Sequence, residues 1–481
     1  MKHLSAAPPQ GTVSSAPHTP TTVCEHVRAA AGLTPADIFA GLSAQPYAQL
    51  LDWQQSGGVA YVLADPAEII TVTLDEANPD DPGGAFRRLD RTLARWGASN
   101  GFVPGGTPVP FSGGAVGMFA YELAHDLEKL PRYPEMAPET PLMTVGLYDA
   151  VAAFPATTGG EAPYALLLSP WDTAATRAKR AQLRHLIETT KAAPTPSQIA
   201  CAPPKATVTP DAYRAAVGRV REMIHAGDIF QANLSQRFET SLPDGLTPFD
   251  IYQRLCSDGT APFASYLTLD DSTLVSSSPE RFVSITPEGA VRTEPIKGTR
   301  PRGRTPAEDE RLARDLEASD KDRSENVMIV DLLRNDLSRT CADHSVKVEA
   351  LCELQSFNNV HHLVSVVTGS LLPDATSLDC LAACFPGGSI TGAPKVRAME
   401  IIHDEEPHPR GAYCGAIGFV GLDGAMDTSI SIRTLTFSNN LITYSVGGGI
   451  VADSNPAEEY DETITKASAI RKALTLSDPT Q

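Results

Sequence analysis

At 481 residues, 42% of them hydrophobic and 20% charged, the chain holds enough apolar material for one very large domain or two closely packed lobes. Its 39 Lys and Arg against 58 Asp and Glu leave a formal charge of −19, which argues against a nucleic-acid footprint or an anionic membrane surface. No uninterrupted apolar run reaches membrane-spanning length and the N-terminus lacks the apolar core of a signal peptide, so a cytoplasmic protein is expected.

Residues 1–22 are rich in Ser, Thr, Pro and Ala, too poor in apolar side chains to offset the entropy of ordering, and are expected to form a loose tail. Within a first region, 23–190, segments 59–64, 69–74 and 164–168 read as strands and 172–190 as a helix, with no catalytic cluster among them. A linker is expected at 191–210, where Pro194, Pro196, Pro203, Pro204 and Pro210 interrupt a polar stretch. The second region, 211–475, opens with a helix at 211–226 and strands at 229–238, 263–269, 273–277, 282–285 and 291–294. Helices at 305–318 and 322–337 and strands at 346–351 and 362–371 lead to a glycine-rich stretch, 386–395, and a helix beginning at Pro394. Strands at 412–422, 426–436 and 441–446 precede Gly447, Gly448 and Gly449; Asn455 then caps a final helix with Glu458 as its capping-box partner, and 476–481 is a short tail. Strands that follow one another through short turns, with helices inserted in blocks, indicate an α+β fold with mostly antiparallel sheets.

Carboxylates supply the first chemical signal. Asp322 and Glu325 are three apart on one predicted helix, and Glu459 and Glu462 are three apart on another, so each pair shares a helical face. Four such groups facing one another would demand a cation, and an all-oxygen donor set favours magnesium; each pair alone is equally an acidic first turn complementing the helix dipole. In the run Pro295 to Gly303, proline and glycine flank Lys297, so its amine is either a nucleophile aimed into a cleft, with burial lowering its pKa, or a solvated turn residue. The 386–395 stretch lacks the Gly-Lys-Ser/Thr ending of a phosphate loop. Gly447 to Gly449 are either an anion-binding backbone or a tight turn, and Arg433, Tyr413 and Lys466 are able to bind carboxylates; His362 on its own reads more simply as a core histidine. The eight cysteines are scattered, only Cys380 and Cys384 lie close together, and no second pair completes a zinc pattern, which fits reduced thiols.

SSSPERF at 276–282, PIKGTRPRG at 295–303, DRSENVMIVDLLRNDL at 322–337, HLVS at 362–365, GGSITGAPKVRAMEII at 387–402, YCGAIG at 413–418, SIRT at 431–434 and GGGIVADSNPAEEYDET at 447–463 together resemble the chorismate-utilising enzymes. The resemblance covers about residues 211–474 with every motif in order, and GGAVGMFAYE at 113–122 is similar to the family's N-terminal region. It implies a single large two-lobed sandwich of antiparallel sheets flanked by helices, with magnesium anchoring a chorismate carboxylate in the central cleft. On it, Glu325 and Glu462 match the direct metal ligands, with Asp322 and Glu459 supporting. His362, Ser389, Tyr413, Arg433, Gly447, Gly449 and Lys466 match substrate-pocket positions.

Members that add water carry a lysine base where this chain has Gln231, and members that form anthranilate usually carry a small residue where Lys297 stands. The pattern is similar to the members that aminate chorismate toward para-aminobenzoate and folate. In that reading Lys297 attacks ring carbon 2, Glu280 is the general acid for departure of the 4-hydroxyl, and ammonia then adds at carbon 4 and expels the lysine. No cysteine sits in the Gly-x-Cys-x-Gly elbow of a class I glutaminase, so ammonia is expected from a separate glutamine amidotransferase subunit, and the residues after Lys472 are too few for a lyase domain. Two other readings are anthranilate formation and a regulatory relative that binds chorismate or tryptophan without turnover. Leu50, Leu51, Asp52 and Trp53 depart from the LLES-like tryptophan motif at the last two positions, which counts against feedback inhibition.

Overall fold

The structure is a computed structural model that describes residues 22–56, 58–104, 107–156, 164–357 and 360–477. The tail expected at 1–22 lies outside them except for its last residue, and most of the 476–481 tail does as well.

The described strands form a 12-stranded sheet and a 10-stranded sheet, and all of their pairings are antiparallel. The elements that carry the site are β1 (Gly114–Phe119), β2 (Gln231–Ser241), β3 (Ile296–Pro301), α1 (Asp320–Ser338), β4 (Val360–Ser370), α2 (Lys395–Glu405), β5 (Leu441–Ile450) and α3 (Pro456–Lys466). β2 and β5 pair near one edge of the larger sheet, and β3 forms the edge of the smaller sheet against β4.

Both sheets draw strands from both ends of the chain. In the larger, Gln49–Asp52 pairs with Phe263–Thr268; in the smaller, β1 pairs with Ala416–Gly421. The two sequence regions are therefore one body of interleaved strands. Alternation decides which side chain goes where. Leu51, Tyr61 and Leu63 of the larger sheet meet Val116, Ile417 and Phe419 of the smaller in the space between the sheets, while Leu50 and Val62 face outward into a helix-covered cluster. Full burial of side chains this size contributes about 1.5–3 kcal/mol each, so register is strongly specified on both faces.

One expected strand is two. Segment 426–436 divides into Met426–Ile430 in the smaller sheet and Thr434–Ser438 in the larger, with the chain crossing between them at Arg433, whose φ is 52°. Apolar pattern continues through the crossing because both halves are buried, so periodicity alone reads straight across it. Gly447 to Gly449 also lie inside β5 rather than after a strand end. Asn455 caps α3 as expected, accepting from the Ala457 amide at 2.9 Å; among the described residues no reciprocal bond from Glu458 closes a capping box. Among the described residues no helix is long and apolar enough to cross a membrane.

Candidate active site

A bulge aims the lysine. The β3–β4 register slips between Lys297 and Thr299, and Gly298 between them has φ 75°; a Cβ there would stand 2.8 Å from Leu316 and 3.0 Å from Asp322, so only glycine fits. The Lys297 side chain turns inward, 12% exposed, and its Nζ donates to Glu325 Oε1 at 2.7 Å and to the Ser389 carbonyl at 3.2 Å. The expectation that burial lowers its pKa is corrected here. Burial does push the amine down, but the Glu325 carboxylate, with Glu280 and Glu462 behind it, outweighs burial and holds Lys297 above the usual lysine range. The same contact outweighs the effect of burial on Glu325 and keeps that carboxyl below its ordinary value.

The acidic helices α1 and α3 converge, though not as four carboxylates around a point. Each acid has a cation of its own: Glu325 has Lys297, Glu462 has Lys466 at 2.7 Å, Glu459 has Lys321 at 3.3 Å and Asp322 has Arg300 at 3.2 Å. Glu459 also accepts from the Ser454 hydroxyl at 2.6 Å. Between the two helices runs β5, where glycine is a matter of space. A Cβ on Gly448 would stand 3.3 Å from Glu459 Oε2 and 3.5 Å from Glu462 Oε1, and one on Gly449 would strike Gln231 and Glu325. A Cβ on Gly447 would meet Ser235 of β2 at 2.8 Å.

Among the described residues no three His, Cys, Asp or Glu side chains form a ready metal site. The donor chemistry nevertheless fits magnesium, which binds through one or two carboxylates and fills the rest of its octahedron with water and substrate. Glu325 beside Gly449, and Glu459 and Glu462 beside Gly448, are carboxylates able to hold it; the resemblance marks Glu325 and Glu462 as the direct ligands.

Glu280 lies just after strand Thr273–Ser278, 6% exposed. Burial raises its pKa, although Lys297, the Ser389 hydroxyl, the Ile296 amide and Arg433 all pull the other way. Arg433 stands at the sheet crossing, half-buried, and no hydrogen bond or ion pair to its guanidinium is found among the described residues; its influence on Glu280 is through charge. A desolvated guanidinium without a bonded partner is suited to a carboxylate ligand. His362 of β4 is 3% exposed, its Nδ1 bonded to the Thr299 hydroxyl at 2.9 Å, and burial together with the Arg433 charge lowers its pKa to about 4, so it is neutral at pH 7. Ser389 lies in the turn beside Lys297, and Lys466 Nζ donates to the Gly447 carbonyl at 3.0 Å. Tyr413 is buried 5.7 Å from the Arg410 guanidinium.

Motif reading used Gln231 only to tell this chain from members that add water, and gave no role to Arg300, Lys321 or Arg410. Gln231 donates from its side chain to Glu325 at 2.6 Å, and its position in QANLSQRF is the only local signal it carries. The partners of Arg300 and Lys321 lie 22 and 138 residues away, so no spacing rule finds both.

The chain matches the family of chorismate binding enzymes over residues 51–472. Aminodeoxychorismate synthase component 1 of Escherichia coli strain K12 is 42% identical to it over 366 residues, spanning 76% of this chain and 78% of that protein. The protein of the same name from Salmonella typhimurium is 39% identical over 456 residues, 91% and 95% of the two chains. In structure the chain is similar to anthranilate synthase component I from Streptococcus pneumoniae, with a TM-score of 0.72 at 30% identity, over 86% of this chain and 92% of that one.

Proposed function

The chain belongs to the family of chorismate-binding enzymes, and from that premise we propose that it converts chorismate and ammonia into 4-amino-4-deoxychorismate, toward para-aminobenzoate. The observation that carries this reading is Lys297, turned inward by the Gly298 bulge to where the buried Glu280 carboxyl acts on it through charge.

Lys297 first gives up its ammonium proton to solvent. Its amine then bonds to ring carbon 2 while the two conjugated ring double bonds each shift by one bond and the bond from carbon 4 to its hydroxyl breaks; Glu280, in its acid form, supplies the proton with which the hydroxyl leaves as water. Ammonia bonds at carbon 4, the two double bonds shift back, the bond from carbon 2 to Lys297 breaks and returns the amine, and the proton released by the new ammonium group restores Glu280 to its acid form. Dividing one displacement into two puts nitrogen at carbon 4, the position the hydroxyl left.

Arg433, Lys466 and Tyr413 bind and orient the anionic substrate, with His362 and the Ser389 turn closing the pocket and Gly447 and Gly449 giving it room. Glu325 and Glu462 hold magnesium, with Asp322 and Glu459 in support. When bound, the ion supplies the positive charge that anchors a substrate carboxylate. A separate glutamine amidotransferase subunit delivers the ammonia, a reading supported by the words component 1 in the relatives' names, and the protein works in the cytoplasm.

Chromatography and mass spectrometry of the products from chorismate, magnesium and ammonium test this. The wild-type chain is expected to form 4-amino-4-deoxychorismate, and Lys297→Ala to lose that product. Anthranilate as the only wild-type product, or an unchanged product from Lys297→Ala, overturns the assignment.

A further inference from the structure

A buried arginine outside the proposed reaction joins three walls of the pocket. The Arg410 side chain is 1% exposed, and its guanidinium makes four bonds: Nε to Glu406 Oε2 at 2.9 Å, Nη2 to Glu406 Oε1 at 2.6 Å, Nη1 to the Ile390 carbonyl at 2.8 Å and Nη2 to the Asn233 carbonyl at 2.6 Å. Glu406, which follows α2, also accepts from the amide and hydroxyl of Ser235 at 2.8 and 2.9 Å. The amides of Arg410 and Gly411 donate to Glu122, which follows β1, at 2.6 and 2.9 Å. The guanidinium lies 4.7 Å from the Tyr121 ring and 5.7 Å from that of Tyr413.

Three of these partners lead toward the proposed site. Ile390 follows Ser389, whose carbonyl holds Lys297. Asn233 is two residues along β2 from Gln231, whose amide holds Glu325. Tyr413 is itself a proposed substrate contact. A planar fork fixes directions as well as distances, which a lysine's point charge does not. Buried ion pairs stabilise little beyond what apolar packing of the same volume achieves, so stability alone gives weak reason for a charge here, whereas geometric specification gives a strong one.

We infer that Arg410, oriented by Glu406, is a positioning residue that sets the spacing between the Ser389 turn, strand β2 and Tyr413, and so the seat of the substrate ring. The inference rests on the proposed function for its substrate. The test compares full-length wild type, Arg410→Lys and Glu406→Gln by steady-state kinetics with magnesium and ammonium, by calorimetric titration with chorismate, and by thermal melts. Arg410→Lys is expected to raise the chorismate KM and dissociation constant roughly tenfold at temperatures where it is fully folded, and Glu406→Gln to shift both in the same direction by less. If wild type binds chorismate and the variants bind it equally well, losing kcat only in proportion to folded protein, the residue is structural and the inference falls. If Arg410→Lys does not fold, Glu406→Gln decides on the same criterion. A wild type that does not bind chorismate overturns the function proposed above, and this inference with it.

Discussion

A lysine salt-bridged to a glutamate is not yet a nucleophile, and the resting arrangement of Lys297 with Glu325 makes loss of that proton a step in its own right. Glu280 has the opposite need. In the proposed reaction its carboxyl carries the proton for the leaving hydroxyl, and burial favours that form by raising its pKa. The rate is therefore expected to fall as pH rises through a limb displaced above the ordinary glutamate range. Glu280→Gln is expected to remove that limb from the kcat profile and to lower kcat on the order of 10²–10⁴-fold, the usual contribution of a general acid. A limb that persists in the variant assigns the titration to another group. His362 yields a stability prediction of opposite sense. Its pKa is lowered from 6.5 to about 4 in the fold, so below pH 6.5 the unfolded chain takes up a proton that the folded chain refuses. Its contribution to stability is present above that pH and is lost as pH falls toward about 4. His362→Gln should flatten the denaturant-midpoint profile in that window, and ring NMR shifts should show a neutral imidazole at pH 6 in wild type.

At the scale of elements, helices were the more legible class. The segments at 172–190, 211–226, 305–318 and 322–337 correspond to helices Ala174–Thr189, Pro210–Ala226, Pro306–Glu317 and Asp320–Ser338, because an amphipathic repeat and a capping Thr or Ser are local signals. Placing two acids three apart on α1 and two on α3 followed from that periodicity. Which cation each acid would meet did not, since Lys297, Arg300 and Lys321 reach them from elsewhere in the fold. Strand β5 makes the same point with glycine. Gly449 read as a turn or an anion-binding backbone, and it is instead the spot where a methyl group would collide with Gln231 and Glu325. Gly449→Ala is accordingly expected to displace that pair and weaken magnesium binding by roughly tenfold in calorimetric titration, with a melting temperature close to wild type. Unchanged magnesium affinity would remove Glu325 from the proposed metal site.

For the molecule as a whole, the consequential feature is that neither sequence region owns a sheet. Gln49–Asp52 and β1 pair with Phe263–Thr268 and Ala416–Gly421, strands from beyond residue 260, and Glu122 is bonded to the backbone at Arg410. Residues 207–481 expressed alone would expose the unpaired edges of Phe263–Thr268 and Ala416–Gly421, and are expected to aggregate rather than to form a smaller active enzyme. A monodisperse, cooperatively melting fragment in chromatography and calorimetry would contradict this. The sequence by itself determined the fold class, the family and the two acidic helices, and it singled out Lys297 and Glu280 for the roles proposed above, because those rest on local periodicity and on ordered motifs. Only the tertiary structure decided that Lys297 is held charged by Glu325, that the strand expected at 426–436 crosses between sheets at Arg433, and that Arg410 binds three walls together. The physical reason is range. Pattern and capping act over a few residues, whereas charge pairing, close approach and sheet exchange depend on groups that come together only when the chain has packed.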